Sequence, residues 1–107
     1  MKLILAIVNN DDSSKVLSGL NKNNFQATKL ATTGGFLMSG NTTFLIGVED
    51  EKVDKALKII ENCSKKRQKT VPSAPMIDMG TQSVFPMQVT VGGATVFVLN
   101  VDRFEKL

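Results

Sequence analysis

The sequence contains no histidine, tryptophan or tyrosine, and its only cysteine is Cys63. Without histidine the chain lacks the usual acid–base residue near neutral pH and the commonest metal ligand, and hydrolytic triads of the usual kind are excluded. A single cysteine excludes an internal disulfide and a cysteine-based zinc site, and it fits a reducing compartment. We therefore predict a protein that is not an enzyme and holds neither a metal nor a cofactor.

Long hydrophobic runs and a large excess of one charge are also absent. The longest early apolar run, residues 3–8, is far below the roughly 20 residues that span a bilayer, and no small-residue cleavage site follows it. The 107 residues, 42% apolar and 21% charged, have the size and composition of one globular domain. The net charge of +3 suits an anionic small molecule without requiring nucleic acid. We expect a cytoplasmic protein with no membrane insertion.

Apolar periodicity predicts two helices and five strands. The helices are expected at about 12–23 and within 49–67, and the strands at 2–8, 25–32, 42–48, 87–91 and 95–101. The last two strands flank Gly92-Gly93, which predicts a hairpin. Residues 65–86 lack periodicity and contain all three prolines, so a long loop is expected there.

This element order predicts an α+β fold for a single domain over residues 1–107. The specific expectation is a ferredoxin-like βαββαβ sandwich with an extra strand in an enlarged loop after the second helix. Such a sheet carries its helices on one face. Its other face must meet something, and the alternating apolar residues of the strands favour another subunit.

The stretch from residue 28 to residue 47 combines Gly34, Gly35 and Gly40 with small polar side chains and one aromatic residue, Phe36. Glycines let a ligand approach bare backbone N–H groups, and successive N–H groups form an anion-binding concavity. An adjacent aromatic ring can stack on a base. Two interpretations are open from these residues alone: a nucleotide-phosphate cradle, or a glycine-rich hairpin turn.

Three segments together resemble one known family. They are ATKLATTGGFL at 27–37, GNTTFLIGVED at 40–50 and VGGATVFVLNVD at 91–102. They are similar to the cyclic-di-AMP-binding members of the PII-like signal-transduction proteins of Gram-positive bacteria. The resemblance implies a homotrimer that binds cyclic-di-AMP in clefts between subunits and relays the signal to a protein target, whose identity is unknown.

The resemblance also implies ligand contacts at matching positions. These are Asn24, Gln26, Ala27, Thr28, Gly35, Phe36, Leu37, Asn41, Gly47 and Phe97. Asn24 and Thr28 match positions near a base and the phosphate–ribose backbone, while Asn41 matches a side chain that reads an adenine edge. For Phe97, alternation with Val96 and Val98 leaves a core role and a ligand role equally open. Relatives usually carry arginine at the position of Gln26, and a charge-assisted phosphate contact is missing here.

Three alternatives from other classes stay open. A PII-like protein binding ATP or another adenine nucleotide is compatible with the glutamine at position 26. An RNA-binding ferredoxin-like module is compatible with a pI near 9.2, although its aromatic signature motif is absent. A small enzyme lacks a visible nucleophile–base pair.

Overall fold

The computed structural model describes residues 1–30, 40–72 and 86–107, and within these ranges the chain forms six strands and two α-helices. In chain order they are β1 (Lys2–Asn9), α1 (Asn10–Lys22), β2 (Ala27–Leu30), β3 (Asn41–Val48), a 3₁₀ turn (Asp50–Lys52), α2 (Val53–Cys63), β4 (Arg67–Pro72), β5 (Pro86–Val91) and β6 (Ala94–Asn100). The α+β class is confirmed. No helix of the described ranges is long and apolar enough to cross a membrane.

Four strands form the main sheet in the order β2-β3-β1-β6. Every neighbouring pair is antiparallel, and β1 lies at the centre with Leu5 opposite both Leu45 of β3 and Phe97 of β6. Side chains alternate between the two faces of a strand. Both helices lie against the face that carries Ile4, Phe44 and the other buried residues of the core.

The core lies between this covered face and the two helices. Its fully buried members include Ile4 and Phe44 from the sheet, Val16 and Leu20 from α1, and Ile60 from α2. The helices carry these residues at spacings of three or four, which places them on one stripe. Phe25, which follows α1, also belongs to this core.

The other face of the main sheet, which we term the open face, carries no helix from the described part of the chain. Its large apolar side chains are only partly covered, and three of them, Leu30, Phe97 and Leu99, are 38%, 54% and 46% exposed. They share this face with Leu3, Leu5, Ile7 and Leu45. A continuous apolar surface of this kind is typical of an interaction site.

Strands β4 and β5 form a separate two-stranded antiparallel sheet, which we term the arm. Sequence periodicity located β5 but missed β4, because Arg67–Pro72 mixes polar residues with a terminal proline and has no apolar alternation. The extra strand expected at 87–91 is present as β5, whereas the loop expected over residues 65–86 is interrupted by β4. Residues 73–85 lie outside the described ranges.

The predicted hairpin between β5 and β6 was also wrong, because the chain changes sheets at Gly92-Gly93. Both glycines have positive φ, +87° and +82°. A Cβ at Gly92 would lie 2.4 Å from the Lys65 carbonyl oxygen, so a side chain is sterically excluded there. The Gly93 N–H donates to the Ser64 carbonyl. The Gly-Gly pair is thus a crossing between the arm and the main sheet.

Candidate ligand cleft

A cleft of about 620 Å³ opens at one end of the open face, where β1 begins and β3 ends. Four of the predicted ligand contacts lie together around it: Asn24, Gln26, Thr28 and Gly47. They come from the α1–β2 connection, β2 and β3, which the antiparallel pairing of β2 with β3 brings side by side. Residues separated by up to 23 positions in sequence therefore share one concave surface.

Asn24 owes its backbone conformation to the end of α1. Its φ is +65°, and its N–H donates to the Asn21 carbonyl at 3.1 Å while the Phe25 N–H donates to the Leu20 carbonyl at 2.9 Å. This bonding pattern is the Schellman motif, in which asparagine is tolerated in place of glycine. Phe25 then enters the core and is 6% exposed. The helix end thus places Asn24 at the rim of the cleft.

Gln26 and Thr28 lie on the cleft side of the chain because they are two residues apart on an extended backbone. Thr28 is opposite Leu45 on the open face. Ala27, between them, packs its side chain against the core. Lys29 shares the Ala27 side of β2, as the odd spacing from Gln26 predicts.

Gly47 forms part of the cleft wall and has no packing reason to be glycine. It keeps regular register opposite Leu3, so the strand contains no bulge at this point. A Cβ built at Gly47 meets no atom within 4 Å. Gly47 is thus a strand glycine without a bulge and with open space beside it, which is the geometry that a close approach by another group requires.

Lys52 is the only lysine or arginine that lines the cleft among the described residues. Glu49 lies nearby on the same wall. The Met1 amino group contacts Asp50 at 2.9 Å, and this hydrogen bond lowers the pKa of the Asp50 carboxyl. The Asp50 charge is thereby paired with the Met1 amino group, while Lys52 and Glu49 place one positive and one negative side chain at the cleft wall.

Asn41 lies at the opposite end of the open face. It pairs with Asn9, and together they line a second, polar cavity of about 300 Å³ with Lys66 and Gly92. Gly47 is six positions beyond Asn41 on β3, which corresponds to about 20 Å along a strand. The predicted contacts of one chain are therefore divided between the two ends of the open face.

Phe97 lies between these ends on β6, opposite Leu5. Because its side chain is 54% exposed, the interpretation of Phe97 as a core residue was wrong for a single chain. The remaining predicted contacts, Gly35, Phe36 and Leu37, lie outside the described residues.

Sequence reasoning missed several groups at the cleft, of which Lys52, Val101 and Phe104 are the clearest. Phe104 follows β6 in a segment without regular structure and is 63% exposed. Neither periodicity nor a motif marks this tail, so only the path of the chain beyond β6 could identify it. Lys52 lies in the acidic turn before α2, within the range 49–67 where the sequence predicts a helix. The described residues contain no cluster of three His, Cys, Asp or Glu suited to a metal ion.

Comparison with known proteins decides the family. The model of the cyclic-di-AMP receptor family matches residues 1–107, the whole chain. The chain belongs to the cyclic-di-AMP receptor family. The family predicted from three sequence segments is thus confirmed, and membership supports cyclic-di-AMP sensing in signal transduction and suggests a non-enzymatic receptor.

A solved structure is similar to this receptor over nearly its full length. It is a functionally unknown protein from Pediococcus pentosaceus ATCC 25745, with a TM-score of 0.76 and 45% sequence identity. The match covers 99% of this chain and 96% of that chain. The similarity extends the fold described above to that relative.

Proposed function

We propose that this receptor is a homotrimeric sensor that binds cyclic-di-AMP in clefts between subunits and passes the signal to a protein target. The observation that carries the proposal is the cleft itself. Asn24, Gln26, Thr28 and Gly47 converge there, in a chain whose family is that of cyclic-di-AMP receptors. In this proposal the protein is cytoplasmic, binds the nucleotide without a cofactor, and does not turn it over.

We interpret the main sheet as ferredoxin-like. Its strand order, β2-β3-β1-β6, is antiparallel throughout, and the connections through α1 and α2 each join strands separated by one neighbour. This is the arrangement expected of two βαβ-type halves with both helices on one face. The arm is then an insertion between α2 and the last strand of the sheet.

The open face supports the oligomer. Phe97 and Leu99 are each about half exposed on the edge strand β6, where they lie beside the apolar residues Leu5 and Leu3 of β1. Burying such side chains stabilises an interface by roughly 25 cal/mol for each Å² of apolar area removed from water. Closed symmetric assemblies place the same surface of every copy in an equivalent contact, so a trimer would cover this face in all three subunits.

The division of the predicted contacts supports a site between subunits. Gly47 and Asn41 lie about 20 Å apart on one strand, and each lines its own cavity. In the proposed assembly the Gly47 end of one subunit faces the Asn41 end of its neighbour. One ligand then contacts both groups without having to span the sheet.

Within this site each group has a chemical role. Lys52 and the Thr28 hydroxyl would meet the phosphates, the former as a point charge and the latter as a donor. The Gly47 backbone lets the ligand approach closely. The Asn41 carboxamide offers the donor and the acceptor that the adenine N7 and N6 groups require. Gln26 would contribute a neutral hydrogen bond where a charged one is usual.

The test is calorimetric titration of the purified protein with cyclic-di-AMP, using ATP and cyclic-di-GMP as controls and light scattering to measure the mass of the particle. We expect saturable binding of one cyclic-di-AMP per subunit, with a trimer mass. Selective binding of ATP would instead favour the adenine-nucleotide alternative. Absence of binding to every nucleotide would contradict the proposed function.

A further inference from the structure

The first turn of α1 is bonded both to the arm and to the chain entering β3. The turn begins at Asn9, whose side-chain oxygen accepts a hydrogen bond from the Asp11 N–H at 2.9 Å. This cap fixes the orientation of the next residues. Asn10 and Asp12, one on each side of Asp11, make contacts with different parts of the molecule.

Asp12 is bonded to the arm. Its carboxylate is 2% exposed and accepts two hydrogen bonds from the Arg67 guanidinium, at 3.0 and 3.3 Å. A two-point guanidinium–carboxylate contact fixes orientation as well as distance. Arg67 is the first residue of β4 and also donates to the Lys65 carbonyl at 3.1 Å. Because a buried carboxylate is costly to leave unpaired, the arm is held in one position at its base.

Asn10 is bonded to the segment that leads from the glycine-rich stretch into β3. Its backbone N–H donates to the Gly40 carbonyl at 2.6 Å. Its side-chain oxygen accepts a hydrogen bond from the Thr42 hydroxyl at 2.5 Å, and the Thr42 side chain is 1% exposed. Asn41, the proposed adenine contact, lies between these two bonded residues. Any displacement of the Asn10 turn therefore acts on the backbone that carries Asn41.

We propose that Asp12 and Arg67 are positioning residues that couple the arm to the Asn41 end of the ligand site through the first turn of α1. The connection consists of two hydrogen bonds at Asn10 and two at Asp12. Both residues lie in the single turn that Asn9 caps. This inference rests on the proposed function for its ligand-bound state. The mechanical coupling itself exists in the free protein and can be tested there.

The first experiment removes the arm contact and measures hydrogen exchange in the ligand-free protein. In Arg67→Ala we expect exchange about tenfold faster in β5, and also at the Asn10 amide and the start of β3, since the opening is shared along the connection. Arg67→Lys keeps the charge without the two-point contact and should give an intermediate result. Arg103→Ala removes the exposed Arg103–Glu105 pair and is the matched control, with no change expected at either place.

The second experiment removes the other end of the connection with a substitution of equal volume. In Thr42→Val the hydroxyl bonded to Asn10 is lost. The neighbouring Thr43→Val is the control, because no hydrogen bond among the described residues joins the Thr43 side chain to α1. Cyclic-di-AMP should protect β5 from exchange in the natural protein and in Thr43→Val, but not in Thr42→Val. Affinity should fall about tenfold in Thr42→Val and Arg67→Ala, a coupling of ordinary size.

Two results would overturn the inference. In the first, Arg67→Ala speeds exchange in β5 but leaves exchange at Asn10 and β3 unchanged, and the ion pair then stabilises only the arm. Retained protection of β5 by ligand in Thr42→Val would show that the signal does not pass through Asn10. If the natural protein bound no cyclic-di-AMP, the proposed function would fail, while the ligand-free exchange would still decide whether the coupling exists.

Discussion

The two faces of β3 differ both in composition and in surroundings. On the covered face Thr42, Phe44, Ile46 and Val48 are all buried against the helices of the same chain. On the open face Leu45 is only partly covered and Gly47 is exposed. The covered face is therefore explained by packing within one chain. The open face carries apolar side chains that the described part of the chain leaves partly uncovered, and the proposed trimer would cover them.

Gly92 and Gly47 also differ in their surroundings. At Gly92 the surrounding chain leaves no room for a side chain, whereas at Gly47 there is open space. A glycine required by its own chain and a glycine with room beside it make opposite predictions on substitution.

The largest expected effect is on the covered face. Phe44→Ala should reduce the free energy of unfolding by about 3–5 kcal/mol, because a fully buried ring is replaced by a cavity. Urea unfolding followed by far-UV circular dichroism measures it. Phe97→Ala on the open face should leave the subunit folded. In a dissociated chain it should lower the free energy of unfolding by much less than Phe44→Ala does. An equal loss from both variants would remove the distinction between the faces.

Gly47→Val should separate stability from binding. The backbone is extended and the site has room, so we expect the free energy of unfolding to stay the same or to rise by up to about 1 kcal/mol. Cyclic-di-AMP affinity should fall by about a hundredfold, since the branched side chain occupies space in the cleft. Titration calorimetry and thermal unfolding on the same sample measure both quantities. Unimpaired binding would show that the ligand does not approach Gly47.

Phe97→Ser should weaken the assembly and leave the subunit folded. We expect a shift from trimer to smaller species at low protein concentration, because an apolar contact is lost from the proposed interface. The matched control is Val98→Ser, on the same strand and 43% exposed but on the opposite face. Light scattering across a dilution series measures the mass. A trimer that dissociates equally in both variants would contradict the assignment of the interface to the open face.

The smallest effect is expected at Lys52. Lys52→Gln should lower cyclic-di-AMP affinity about fivefold and make binding less sensitive to salt, because a screened charge contact to phosphate is removed. Lys55→Gln is the control, since Lys55 is exposed on α2 but does not line the cleft. Calorimetry at two ionic strengths measures both changes. Identical behaviour of the two variants would assign no phosphate contact to Lys52.

Much of the main sheet could be predicted from local patterns. The apolar run of β1 and the helical spacing of Val53, Ala56, Leu57 and Ile60 in α2 reflect burial on known faces, and periodicity reports burial. The arm could not be predicted in this way. Arg67–Pro72 forms a strand because it pairs with β5, about 20 residues further along the chain. No apolar alternation within Arg67–Pro72 indicates that pairing.

The candidate site was predicted only in part for a related reason. Asn24, Gln26, Thr28 and Gly47 came from the resemblance to a family, and the structure places them around one cleft. The Asp12–Arg67 pair was not foreseen, because its two residues are 55 positions apart in the sequence. Neither the partner of a charged side chain nor the residues of a neighbouring subunit leave a periodic signal.

The most direct test of a site shared between subunits is binding by mixed trimers. Gly47→Val subunits and Asn41→Ala subunits, each expected to bind cyclic-di-AMP only weakly alone, would be unfolded together, refolded as a mixture and titrated. If the two ends of the open face from neighbouring copies form one site, roughly a quarter of the clefts in the mixture should regain both intact ends and bind the ligand. A mixture that binds no more than its two components would contradict the shared site.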